Sequence, residues 1–194
     1  MFFFEGLRRL GELPENIRLS ALSAYEHLNF EAFTRTEPVL SGASRCVFLG
    51  ELAVLNSEAA KAVDVSAALT VIEHLRLNFC PLLTFFGGEI NYLLPGAKLR
   101  YHVDPRWFHV YGKKLLVPIK TSRSSFISRG RNFPLELSKV YEIDNVSYHS
   151  GENLGNEPRI SINAVFLDGG MVAHEHKKNR SIMRQYLVNV LSTT

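Results

Sequence analysis

Cysteine is scarce in this 194-residue chain: Cys46 and Cys80 are the only two. Two thiols cannot make a disulfide framework, so the composition fits a reducing cytoplasm, and a metal site would have to draw on histidine and carboxylates. Charge of one sign is also lacking, because 22 Lys+Arg against 19 Asp+Glu leave only +3. That is short of the excess expected of a dedicated nucleic-acid binder, although it is compatible with an anionic small molecule. No segment approaches the roughly 20 uninterrupted apolar residues of a membrane-spanning helix. The apolar start Met1-Phe2-Phe3-Phe4 breaks at Glu5 before a signal-peptide core could form, and reads instead as a packed or pairing edge. Repeats and low-complexity tracts are absent as well. What is present, 46% hydrophobic residues and 21% charged ones, is enough to bury the core of a single cytoplasmic domain spanning 1–194.

Two periodicities divide that domain. In the first part, 1–87, Pro14 can open a helix running to about Leu28, with Ile17, Ala21, Tyr25 and Leu28 at helical spacing. Asp64 and Ser66 can cap a second helix whose inner face carries Ala68, Leu69, Ile72, Leu75 and Phe79. Both are expected to cover one side of a sheet. Arg45 to Leu55, largely apolar, is ambiguous between strand and loop. Over 88–168 the texture changes to short β-rich runs: Ile90–Leu94, Leu99–Val103, Phe108–Tyr111, Lys114–Lys120, Ser125–Ser128, Lys139–Ile143 and Arg159–Phe166. Pro95-Gly96 and Asp144-Asn145 read as turns between them. That count and spacing predict a double-sheeted β-roll, mainly β with flanking helices. The last run alternates Arg159, Ser161 and Asn163 with Ile160, Ile162 and Ala164, and a polar inner face implies a cavity with ligands. In 169–194 a third helix is expected from about Lys178 to Leu191.

The chemistry concentrates between Tyr101 and Ile162. His102 and Asp104 are two apart, so on a strand they project from one face, where an imidazole and a carboxylate can share a cation. His149 is the leading third ligand. Two imidazoles and one carboxylate on one side of a metal, with other positions open, suit a non-haem Fe(II) site. Arg159, ten residues beyond His149, has a planar fork able to grip the far carboxylate of a dicarboxylic co-substrate. Asn145, Asn153 and Ser161 are close enough in sequence to orient a metal-bound imidazole, or simply to form turns. The segment Thr121–Asn132, with Arg123, Arg129 and Arg131, suits a mobile lid that recognises a substrate carboxylate, or a solvated basic loop. A second His-x-His, His174-Glu175-His176, sits beside lysines and reads as an exposed region before the last helix. Gly169-Gly170 is an isolated turn, with no phosphate-cradling pattern around it.

The order His102-x-Asp104, then Val117-Pro118-Ile119, then Tyr141-Glu142-Ile143-Asp144-Asn145, then His149 and Arg159 resembles the aspartyl/asparaginyl β-hydroxylase family of Fe(II)- and 2-oxoglutarate-dependent dioxygenases. The resemblance covers roughly Glu89 to Asp168. It implies a double-stranded β-helix of the jelly-roll, cupin-like kind, with Fe(II) held by His102, Asp104 and His149, and with O2 and 2-oxoglutarate as co-substrates. Arg159 would pair with the distal carboxylate, and Asn91 falls where the family commonly has a polar side chain near the co-substrate. Two positions depart from the pattern: Lys114, a candidate co-substrate-binding residue that keeps the positive charge, stands where an Arg is usual, and Leu116 where a His often helps bind the inner carboxylate. The implied activity is hydroxylation of an unactivated C–H bond, with the keto acid split to succinate and CO2. The implied substrate is a free amino acid, a small peptidic molecule or an Asp or Asn side chain. The rival reading is a cupin-like protein that binds metal and small molecules without oxygenase turnover. A cupin-type isomerase would need a general base beside the metal and no Arg at 159.

Overall fold

The computed structural model describes residues 6–35, 44–53, 58–104, 107–144 and 146–171. The apolar start Met1 to Phe4, the expected helix from about Lys178 to Leu191, the His174–His176 motif and Asn145 lie outside the described residues. In chain order the elements are β1 (Leu7–Glu12), α1 (Glu15–Tyr25), β2 (Thr34–Arg35), β3 (Ser44–Gly50), α2 (Glu58–Lys61) and α3 (Ser66–Phe79). There follow β4 (Thr84–Leu93), α4 (Trp107–Tyr111), β5 (Lys113–Lys120), β6 (Ser124–Ser128), β7 (Arg131–Pro134), β8 (Lys139–Ile143), β9 (His149–Asn153) and β10 (Arg159–Leu167).

The strands form two antiparallel sheets, one of seven in the order β1-β8-β5-β10-β4-β3-β2 and one of three in the order β7-β6-β9. This is the expected double-stranded β-helix. Period-two alternation along β10 divides the large sheet's two faces. Ile160, Ile162, Ala164 and Phe166 are fully buried and pack with Val47, Leu49, Ile90, Leu115 and Val117 against α1 and α3. Burying each such side chain contributes roughly 1.5–3 kcal/mol, so this helix-covered layer is the main source of stability. The two helices are locked together by Tyr25, whose hydroxyl accepts from the Ala68 N–H at 2.9 Å and donates to the Asp64 carbonyl at 3.2 Å. The Asp64 Oδ1 accepts from the Ser66 N–H at 2.9 Å, as its position before α3 suggests. Val71 takes the buried place expected for Leu69, which is 44% exposed.

Several expected strands differ. β4 begins at Thr84, earlier than its composition indicates, and two adjacent glycines in its middle explain why the strand is masked in the sequence. A Cβ at Gly88 would lie 2.1 Å from the Asn163 carbonyl oxygen, so only glycine lets β10 approach there. The ambiguous Arg45 run is β3, inside the large sheet, and the N-terminal run from Leu7 is the edge strand β1, paired with β8. Phe108–Tyr111 is helical, not extended: Phe108 turns into a small cluster with Phe86, Val165 and Leu167, and a short apolar run does not reveal its period. Thr121–Asn132 is not a loop. It builds β6 and the start of β7, joined by a tight turn in which Arg129 and Gly130 have φ of 49° and 75°.

Leu99–Val103 is not a continuous strand either. It meets β9 at two isolated bridges, Lys98 with Glu152 and His102 with His149. The first members of these pairs are four positions apart and the second members three, so one residue bulges and the ladder is interrupted.

Candidate functional site

The bulged segment and β9 bring His102, Asp104 and His149 together: one ligand atom from each lies within 4.8 Å of the others. His102 Nε2 is 3.9 Å from Asp104 Oδ1, and His149 Nε2 is 3.8 Å from Asp104 Oδ2. Both imidazoles are aimed the same way. The Nδ1 of His102 is 2.9 Å from the Arg100 carbonyl and the Nδ1 of His149 is 2.9 Å from the Ser147 carbonyl. A carbonyl only accepts, so each Nδ1 carries a hydrogen, which in a neutral ring leaves Nε2, the nitrogen toward Asp104, with the lone pair. That is the tautomer a metal ligand requires. Burial pushes the His149 imidazole down to about 4, so it is neutral at neutral pH. Its ring also stacks on Phe126, with centroids 5.4 Å apart.

Asp104 has more neighbours than the sequence indicated. Lys114 Nζ donates to its Oδ2 at 2.7 Å, and His109 Nδ1 on α4 stands 4.0 Å from the same oxygen. Burial opposes ionisation of Asp104, but Lys114, His109 and His149 outweigh it and hold the carboxyl well below the usual range. Lys114 is in turn raised by Asp104 and Glu89 against the opposing effect of its burial. His109 was not singled out in the sequence, where it lies in what reads as an apolar strand.

Away from the histidines, the polar face of β10 meets the inner faces of β4 and β9. Arg159 is 4% exposed, its Nε finds no hydrogen-bond partner, and it makes no ion pair with a described residue. Burial lowers the guanidinium to about 10, with Glu89 as the opposing influence. Facing it is Gly151 of β9: a Cβ there would sit 3.5 Å from Nη1 and 3.7 Å from Nη2. On the same face of the large sheet the Ser161 hydroxyl, the Asn163 Oδ1 and the Asn91 Oδ1 are buried and unpartnered, while Asn91 Nδ2 donates to Ser44 Oγ at 2.9 Å. Buried polar atoms are rarely left unmatched: the Arg159 Nε and the Ser161 hydroxyl are donors that fit a carboxylate, whereas the two amide oxygens are acceptors that fit a donor group. The polar alternation of β10 signalled this in the sequence.

The remaining expected site residues are placed elsewhere. Leu116 is packed with Phe126, Leu135 and Tyr141, so position 116 offers no donor to a ligand. Asn153 spends its amide hydrogens on the carbonyls of Leu93, Leu94 and Glu157, and neither it nor Ser161 contacts an imidazole. Arg129 donates to Ser147 Oγ at 2.7 Å, bracing the turn ahead of His149. Arg123 and Arg131 are exposed. Arg123 borders a groove of about 690 Å³ on the outer side of the small sheet, lined also by Ser125, Asn132 and Glu152, away from the histidines.

No family model matches the chain, and no curated protein matches it in sequence. Solved structures do match. A Pseudomonas putida prolyl-4-hydroxylase superposes with a TM-score of 0.55 at 12% identity, over 84% of this chain and 92% of that one. A prolyl hydroxylase from Trichoplax adhaerens, in complex with a hypoxia inducible factor oxygen degradation domain peptide fragment, gives 0.55 at 11% identity, over 87% and 86%. SnoK, a non-heme alpha ketoglutarate dependent carbocyclase from nogalamycin biosynthesis, gives 0.57 at 14% identity, over 84% and 80%. The likeness is one of fold, and it matches the two-sheet architecture described above. Among the described residues no helix is long and apolar enough to cross a membrane.

Proposed function

We propose that the chain is an Fe(II)- and 2-oxoglutarate-dependent dioxygenase that hydroxylates an unactivated C–H bond of an amino-acid-like substrate. The observation that carries this is a pairing: a cluster of two imidazoles and a carboxylate lies in the same inter-sheet space as a buried guanidinium without an ion partner. His102, Asp104 and His149 would hold the metal from one side. Arg159, with the Ser161 hydroxyl beside it on β10, would bind the distal carboxylate, and Asn91 would line the same pocket. When bound, iron and the keto acid supply the oxidising chemistry: one atom of O2 enters the product hydroxyl and the other enters succinate as CO2 leaves. The protein's part is to orient and enclose. The carbonyls of Arg100 and Ser147 fix the imidazoles, and the apolar cluster around Leu116 and Phe126 keeps bulk water from that side of the site.

The names of the matching structures support the class, and the ordered motifs from His102 to Arg159 support the aspartyl/asparaginyl β-hydroxylase branch. A peptidyl substrate is consistent with the peptide held by the Trichoplax protein. Tyr101 and Tyr148, each adjacent in sequence to a histidine of the cluster, are exposed and available to such a substrate. The reading without turnover draws on the Lys114–Asp104 contact, because that ion pair competes with a metal for the carboxylate. Succinate formation from 2-oxoglutarate by iron-loaded protein, tried with a panel of amino acids and short peptides, separates the two. We expect formation that His102→Ala and Asp104→Ala abolish. A protein that binds Fe(II) and the keto acid but never consumes it belongs to the other class.

A further inference from the structure

One partly buried acid on the inner face of the large sheet has no part in the scheme above. Glu89 lies on the inner face of β4, opposite Asn163, whose Nδ2 donates to its Oε1 at 2.8 Å. The register of β10 with β4 and β5 sets Glu89, Lys114 and Arg159 on one face of the large sheet, and the charge of Glu89 favours the protonated form of both cations, alongside Asp104 in the case of Lys114. Two cations, Lys114 and Arg159, thus face two carboxylates, Asp104 and Glu89, while His149 is neutral. The formal charges of these four side chains cancel.

We propose that Glu89 makes uptake of a dicarboxylate by the Arg159 pocket conditional on a divalent cation at the His102–Asp104–His149 cluster. This rests on the function proposed above. A dianion entering a balanced, poorly solvated space leaves two uncompensated negative charges, which is costly. A dication alone leaves two positive ones. Together they restore neutrality, so each raises the other's affinity by the same factor. With glutamine at 89 the empty pocket carries a net positive charge, and the anion needs the metal less. Direct chelation of the metal by the keto acid couples the two in either protein, so the difference between the proteins isolates Glu89.

Calorimetric titration of 2-oxoglutarate into wild type and Glu89→Gln, each stripped with EDTA and then reloaded with Mn(II), tests this without turnover. The metal-free variant should bind at least tenfold more tightly than metal-free wild type, and its gain on adding Mn(II) should shrink by a similar factor. Equal gains in the two proteins overturn the role of Glu89 while leaving the dioxygenase reading intact. A wild type that binds no dicarboxylate even with Mn(II) overturns both. Should the variant not fold, wild type alone decides: metal-free protein should prefer the singly charged 2-oxoglutaramate to 2-oxoglutarate by at least tenfold, and Mn(II) should reverse that order. A preference unaltered by Mn(II) overturns the proposal.

Discussion

His102 and His149 are bound to each other through their backbones: the N–H of each donates to the other's carbonyl, at 2.9 and 2.8 Å, and their rings lie 4.4 Å apart. Two residues 47 positions apart in sequence are thereby fixed before any ligand arrives. Side-chain aim adds to this, since each ring is tied to a carbonyl two residues earlier. Such preorganisation removes ordering entropy from the binding step.

The first prediction concerns acid stability of the metal-free protein. His149 titrates at about 4 in the fold against an ordinary 6.5, so between those values the unfolded chain takes up a proton that the folded chain refuses. Stability from this group is therefore complete above pH 6.5 and is lost as pH falls through 4, by roughly 3 kcal/mol in all. Urea denaturation of EDTA-treated protein at pH 7 and pH 4.5 should show most of that loss, and His149→Gln should flatten it. An equal slope in the variant would remove the basis for a neutral imidazole.

Arg159→Met separates binding from folding. The substitution removes a buried charge that lacks an ion partner and keeps most of the side-chain volume, so the melting temperature should not fall. Loss of charge-assisted hydrogen bonds to a carboxylate costs about 3 kcal/mol, or about 100-fold in 2-oxoglutarate affinity. Unchanged affinity, measured with Mn(II) present, would place the co-substrate elsewhere.

Gly151→Val makes the complementary test from the opposite sheet. The first added carbon meets the guanidinium at ordinary contact distance, and the β-branched side chain suits a strand, so the fold should persist. The two methyls, however, occupy the space over Arg159. Dicarboxylate affinity should fall at least tenfold while Mn(II) binding, followed by the metal's paramagnetic signal, stays within about threefold. If both fall together, the strand has been disturbed and the pocket has not been tested.

The legible part of this protein was its periodicity and its ligand order. Period-two alternation along β10 marked a polar inner face, and the structure shows Arg159, Ser161 and Asn163 there. Helical spacing located α1 and α3, although Leu69 and Val71 exchanged places because neighbouring positions at the edge of an apolar stripe are close to equivalent until packing decides. His102, Asp104 and His149 were chosen by spacing and were found clustered. What could not be read was non-local. The segment around His102 is held by pairing with β9 rather than by strand propensity. The reach of His109 to Asp104 depends on α4, whose five residues carry no helical period, and that of Lys114 on the placement of β5 beside it. Glycines 87 and 88 concealed half of β4, since what they accommodate is a distant backbone.

The slipped register between the Lys98 and His102 bridges has a consequence for aim. Continued without interruption from Lys98 and Glu152, the ladder would set Tyr101 across from His149 and Tyr148 across from His102. Facing residues share a side of the sheet and successive ones alternate, so the two imidazoles would then point in opposite directions, one inward and one to solvent. A single surplus residue in the crossing segment is what turns both rings inward, and shortening that segment by one would undo the centre without altering any residue that composes it.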